Sequence, residues 1–186
     1  MRKNFGSQTW LFPMPVLMIG TYDEKGEPDV MNAAWGGIYD TGKIGICLGE
    51  DHKTTANILL KKEYTVSFAT AKSTVAADYV GLVSQNADGD KMKKSGLHPF
   101  KAEHVDAPLF EEFPVALECR FLRYEEESGY LTGEIVNVCA EESVLGEDGK
   151  IDMRKHDPIL YDSATHAYHR IGEKAGQAFA DGNKLK

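Results

Sequence analysis

The stretch Val16-Leu17-Met18-Ile19-Gly20-Thr21-Tyr22 runs into Asp23-Glu24-Lys25-Gly26-Glu27 and then into Pro28-Asp29-Val30-Met31-Asn32-Ala33-Ala34. An apolar run, a charged turn with a glycine and a returning run is the pattern of a β-hairpin. Downstream, Lys43 to Leu48 reads as a third strand after the turn Asp40-Thr41-Gly42, and Glu63 to Phe68 alternates, with Tyr64, Val66 and Phe68 on one side. Pro114 to Tyr124 and Tyr130 to Glu141 alternate about the acidic loop Glu125 to Gly129, and short strands surround Ile159-Leu160-Tyr161 and Ala167 to Ile171. The 3.6-residue period appears twice. Thr54 to Lys62 would place Ala56, Leu59 and Leu60 inward and be capped by Thr54 or Thr55, and Thr74 to Val83 would align Val75, Tyr79 and Leu82. Asp88 to Gly96 is a charged turn that holds at most one helical turn, ending at Gly96. Strands joined mostly by hairpins, with few helices, specify a mainly β, antiparallel barrel rather than a doubly wound sheet. No glycine-rich fingerprint links a strand to a helix, so a Rossmann site is not supported.

A chain of 186 residues with 42% hydrophobic and 27% charged residues suits one soluble domain. A net charge of −8 argues against nucleic acid and anionic membranes as partners. Cys47, Cys119 and Cys139 are odd in number and far apart, as expected for free thiols in a reducing compartment. With no signal-peptide pattern and no membrane-length apolar run, the expected location is cytoplasmic.

Three stretches carry chemistry. In Met31-Asn32-Ala33-Ala34-Trp35-Gly36-Gly37, small side chains let a flat ligand approach the backbone, whose free N–H and C=O groups can bond its edge. His52-Lys53-Thr54-Thr55 precedes the first helix, where free N–H groups, two hydroxyls and an ammonium suit a phosphate. The plain alternative is a threonine cap with a solvated lysine. Lys91 is a second phosphate candidate, against the alternative of a solvated loop for the run Lys91, Lys93 and Lys94. Trp10, Trp35, Tyr161 and Tyr168 could stack on a ring. His166 and His169 would face opposite ways on a strand, no metal-ligand spacing occurs, and no nucleophile motif is present. An anion site and a flat-ring site without acid–base apparatus suit a cofactor that brings its own chemistry.

These motifs resemble the flavin reductase-like family, in its flavoredoxin branch. The likeness is carried by Pro13 to Thr21, Met31 to Gly37, His52 to Ile58, Tyr64 to Phe68, Asp90-Lys91-Met92, Pro114 to Cys119 and Gly133 to Val136, and it covers nearly the whole chain. The resemblance implies a single domain over residues 1–186, a Greek-key split β-barrel with capping helices that binds FMN and forms a homodimer. It implies that Met31, Asn32, Ala33, Ala34 and Trp35 lie along the flavin and that Leu48 and Gly49 line it. His52, Thr54 and Thr55, with Lys53 beside them and Lys91 assisting, would hold the phosphate. The Gly-Asp-His sequence of many NAD(P)H-using members is absent: Ser128-Gly129-Tyr130-Leu131-Thr132-Gly133 stands there. The expected function is a flavoprotein oxidoreductase carrying electrons through FMN, served by NAD(P)H or a protein redox partner. The alternatives are an NAD(P)H:flavin reductase using flavin as a dissociable substrate, a flavin-dependent reductase of a small electrophile, and a non-enzymatic binding module.

Overall fold

The computed structural model describes residues 1–186. In chain order it contains β1 (Met14–Pro15), β2 (Leu17–Tyr22), β3 (Pro28–Ala33), β4 (Gly36–Asp40), β5 (Lys43–Cys47), α1 (Lys53–Lys61), β6 (Glu63–Phe68), α2 (Thr74–Leu82) and α3 (Lys91–Ser95). Then follow β7 (Pro99–Lys101), β8 (Pro108–Phe110), β9 (Val115–Glu125), β10 (Tyr130–Ala140), α4 (Met153–His156), β11 (Ile159–Asp162) and β12 (Ala167–Arg170). Seven strands form one antiparallel sheet in the order β3-β2-β6-β9-β10-β5-β4, and this curled sheet is the split barrel. β3 and β4 are its edges. A smaller sheet, β1-β11-β12, and the β7-β8 hairpin flank it.

The predicted strands are present, some with ends shifted by a residue, because period-two alternation and turn residues agree along them. The hairpin of β2 and β3 pairs Leu17 with Ala33 through Tyr22 with Pro28. Gly36 to Asp40, where no strand was expected, is edge strand β4 paired to β5. One core lies inside the sheet and includes Leu17, Ile19, Ile46, Leu48, Ile58, Tyr64 and Leu131; a second under the helices includes Met18, Val30, Ala77, Val80 and Phe110. No helix is long and apolar enough to cross a membrane.

The helices depart from their expected faces. On α1 the inward residues are Thr54, Thr55, Asn57 and Ile58, whereas Ala56 and Leu60 face out. Burying Asn57 is tolerated because its amide donates to Thr21 Oγ1 at 3.0 Å. On α2 the buried residues are Ala77 and Val80, while Val75 and Leu82 are 84% and 77% exposed. The expected threonine cap is also absent: His52 is the N-cap and makes no side-chain capping bond. In α4, His156 is buried edge-on to Phe68, and burial holds its pKa below the ordinary 6.5. All three cysteines are free, Cys119 buried and the other two half-buried.

Candidate functional site

The hairpin brings β3 to the sheet's edge, where it pairs only with β2 and has α2 packed beside it. A groove follows this strand. One end is a cavity of about 220 Å³ lined by residues including Asp29, Met31, His52, Lys53, Thr54, Gln85 and Lys91. The other is a cavity of about 350 Å³ that includes Asn32, Ala33, Ala34, Asp78, Tyr161 and Tyr168. Gly81 and Leu82 of α2 line both.

At the first end the N-terminus of α1 has donors to spare. The first helical carbonyl bond runs from Ala56 N–H to His52 C=O, and the N–H groups of Lys53, Thr54 and Thr55 have no protein acceptor. The two hydroxyls expected there are already committed. Thr54 Oγ1 donates to Asp29 Oδ2 at 2.5 Å, and Thr55 Oγ1 donates to the Gly49 carbonyl at 2.7 Å. A hydroxyl has one proton, so neither can also donate to an anion. Of the donors expected at this position, the free backbone N–H groups remain and the two hydroxyls do not. His52 Nδ1 and Gln85 Oε1 are buried without partners in this end.

Lys91 is not a solvated lysine. Only 2% of it is exposed, and its ammonium donates to Asp29 Oδ1 at 3.0 Å. Asp29 is wholly buried, so this is an ion pair out of water, with the Thr54 hydroxyl on the second carboxylate oxygen. Lys53 lies 3.8 Å from Asp23, whose carboxyl burial pushes up but the N–H groups of Glu27 and Lys25 hold below the usual range.

At the second end, small side chains of β3 and α2 (Ala33, Ala34 and Gly81) face the rings of Tyr161, His166 and Tyr168. Asn32 turns its amide away to donate to the Ala77 carbonyl at 2.8 Å. Gly81 permits that packing, since a β-carbon at position 81 would overlap the Asn32 carboxamide. Tyr168 donates to Asp78 Oδ1 at 2.8 Å, and burial with that carboxylate raises its phenol to about 12. Tyr161 stacks at a tilt on Tyr168 and shares a 2.7 Å hydrogen bond with His166 Nδ1. His166 sits in a turn with φ of 56°, not on the strand, as the spacing argument had placed it.

The structure thus brings Met31, Asn32, Ala33, Ala34, His52, Lys53, Thr54 and Lys91 into one groove. It leaves others out. Leu48 points into the barrel core, and its backbone groups bond Gly129 and the Tyr124 hydroxyl. Gly49 and Thr55 lie behind the anion end rather than in its wall. Trp35 is 54% exposed and, with Trp10, Leu11, Ile38 and Tyr130, lines an apolar cavity of about 570 Å³ that adjoins the ring end at Ala34. Asp29, Asp78, Gly81 and Gln85 also line the groove, and none was expected there. Only the carboxylate of Asp29, inside a mostly apolar strand, carried a usable signal: a buried charge needs a partner.

The flavin reductase like domain signature matches residues 9–170. The chain belongs to the flavin reductase-like family. Within that family its likeness is to flavoredoxins: one from Desulfovibrio vulgaris (Miyazaki F) is 35% identical over 98% of this chain and 100% of that one, with a TM-score of 0.93. A flavoredoxin from Methanosarcina acetivorans is 28% identical over the full length of both chains, with a TM-score of 0.87. An FMN-binding domain of a flavin reductases-like enzyme from Shewanella baltica OS155 shares the fold at 19% identity, covering 88% of each chain with a TM-score of 0.79. No curated protein matches.

Proposed function

We propose that residues 1–186 form one FMN-binding domain and act as a flavoprotein oxidoreductase of the flavoredoxin type. The observation that carries this is the polarity of the β3 groove, with unsatisfied donors at one end and, at the other, small side chains facing aromatic rings. The donor set fits a phosphate: three free N–H groups at the positive end of α1, the buried Lys91 ammonium and the unpartnered His52 Nδ1. Beyond it, Met31 to Ala34 would hold the ribityl chain and ring on an edge strand whose outward backbone groups are free to bond the ring edge. Bound FMN would supply one- and two-electron transfer, which no side chain here offers.

The chain's own part is to fix the phosphate, keep water from one face of the ring and present Tyr161 and Tyr168 at the ring end. A homodimer belongs to the same reading. Ile38 and Tyr39 are exposed on the unpaired edge of β4, beside the apolar cavity holding Trp10 and Trp35, and a second copy would cover them. Three free cysteines suit a cytoplasmic setting.

The test is a visible spectrum of the purified chain, repeated anaerobically with NADH or NADPH and then with dithionite. The proposal expects flavin bands that survive desalting. Bleaching by a nicotinamide identifies that donor, and bleaching by dithionite alone identifies a carrier served by another protein. A chain that stays colourless after incubation with FMN and desalting contradicts tight FMN binding, leaving flavin as a dissociable substrate or the non-flavin binding module.

A further inference from the structure

We infer that Asp29 is the internal counter-ion of the anion end. It holds the Lys91 ammonium while that end is empty and competes with a bound phosphate for it, thereby setting how strongly the groove prefers a phosphorylated flavin. The inference rests on the reading that the FMN phosphate occupies this end.

The side chains of Lys91 and Asp29 are 3% and 0% exposed, and 62 positions separate them in the chain. An ammonium this deep with no carboxylate near it would be an uncompensated buried charge, which folds poorly. One of its three protons goes to Asp29 Oδ1, and no other protein acceptor takes the remaining two. Both residues line the same cavity as His52, Lys53 and Thr54. The ammonium therefore has donors left for an incoming anion, yet its charge is already cancelled by a carboxylate facing that same space. Asp29 has two opposed effects. It stabilises the empty fold, and it repels the anion. Lys53 does not replace Lys91 in this balance, because it has its own carboxylate in Asp23.

Asparagine separates the two effects. Asp29→Asn keeps the shape, and its amide oxygen can still accept from Thr54, but the charge is gone. The experiment uses flavin-free full-length wild type, Asp29→Asn, and the double variant Asp29→Asn with Lys91→Met. Dissociation constants for FMN and riboflavin are read from flavin fluorescence, and unfolding midpoints are read with and without saturating inorganic phosphate. Expected for Asp29→Asn is a lower midpoint when empty and a larger rise with phosphate than in wild type. Its FMN-over-riboflavin preference should increase by about tenfold or more, the effect of one nearby charge in a partly shielded site. The double variant should recover the midpoint and fall below wild type in its preference for FMN.

A preference in Asp29→Asn equal to or below that of wild type overturns the inference and leaves Asp29 a structural residue only. If the single variant does not fold, a folded double variant that keeps the wild-type preference overturns it equally. Wild type binding FMN and riboflavin equally well would instead sink the phosphate reading, and the inference with it.

Discussion

Gly81→Ala tests the groove where its two ends share a wall. Gly81 is the penultimate residue of α2, where alanine is intrinsically better by at most about 1 kcal/mol, so helix propensity alone predicts a stabilised protein. The new methyl group, however, would overlap the carboxamide of Asn32. That side chain must leave its rotamer, at about 0.5–1.5 kcal/mol, and give up its 2.8 Å bond to the Ala77 carbonyl, at about 1 kcal/mol. The gain offsets only part of this, and the net loss of stability should lie between about 0.5 and 2.5 kcal/mol. Ligand binding has no such offset, because the displaced Asn32 enters the wall shared by both ends of the groove. The assay is urea unfolding beside an FMN titration. The expected result is a small stability change with an affinity loss of about tenfold or more, or about 1.4 kcal/mol. A more stable variant with unchanged FMN affinity would refute both the packing argument and the location of the ligand.

Two further outcomes follow from the same geometry. Thr54→Val removes a hydroxyl bound to a buried carboxylate and should cost about 1.5–3 kcal/mol in denaturant unfolding. The backbone donors stay, so FMN affinity should change by less than about threefold; a large loss of affinity without loss of stability would mean that the hydroxyl donates to the phosphate itself. His156 has a folded pKa held below its ordinary 6.5 by burial, so it favours the neutral form. Its contribution to stability is present above the unfolded value and is lost as pH falls from 6.5 through the folded value. His156→Gln should therefore flatten the acid limb of the stability–pH curve measured by thermal unfolding, and an equally steep limb would assign that sensitivity to other groups.

The barrel was legible because its strands satisfy several local rules at once. Glu63 to Phe68 begins and ends where its alternation does, and β9 and β10 meet at the acidic loop that the turn chemistry marked. The helices were half legible. Their existence and lengths followed from period, but their faces did not, since Leu60, Val75 and Leu82 point outward while Thr54, Thr55 and Asn57 point in. A polar face is buried when partners on other strands satisfy it, as Thr21 does for Asn57 and Asp29 for Thr54, and those partners lie far away in sequence. The same limit applies to the candidate site. The order of Met31 to Ala34 and His52 to Thr55 pointed to a ring and an anion, yet nothing local showed that Lys91 crosses to Asp29, that Leu48 turns into the barrel, or that Trp35 opens onto an adjoining apolar cavity.

The most direct test of the account is a paired titration of the flavin-free chain with FMN and riboflavin at one ionic strength. The two ligands share the ring and ribityl chain and differ only in the phosphate. If that phosphate meets the free N–H groups of Lys53 to Thr55 and the Lys91 ammonium, two such charge-assisted bonds, at about 1.5–3 kcal/mol each, make FMN tighter by roughly a hundredfold or more. Equal affinities, or a preference for riboflavin, would contradict a phosphate site at the start of α1.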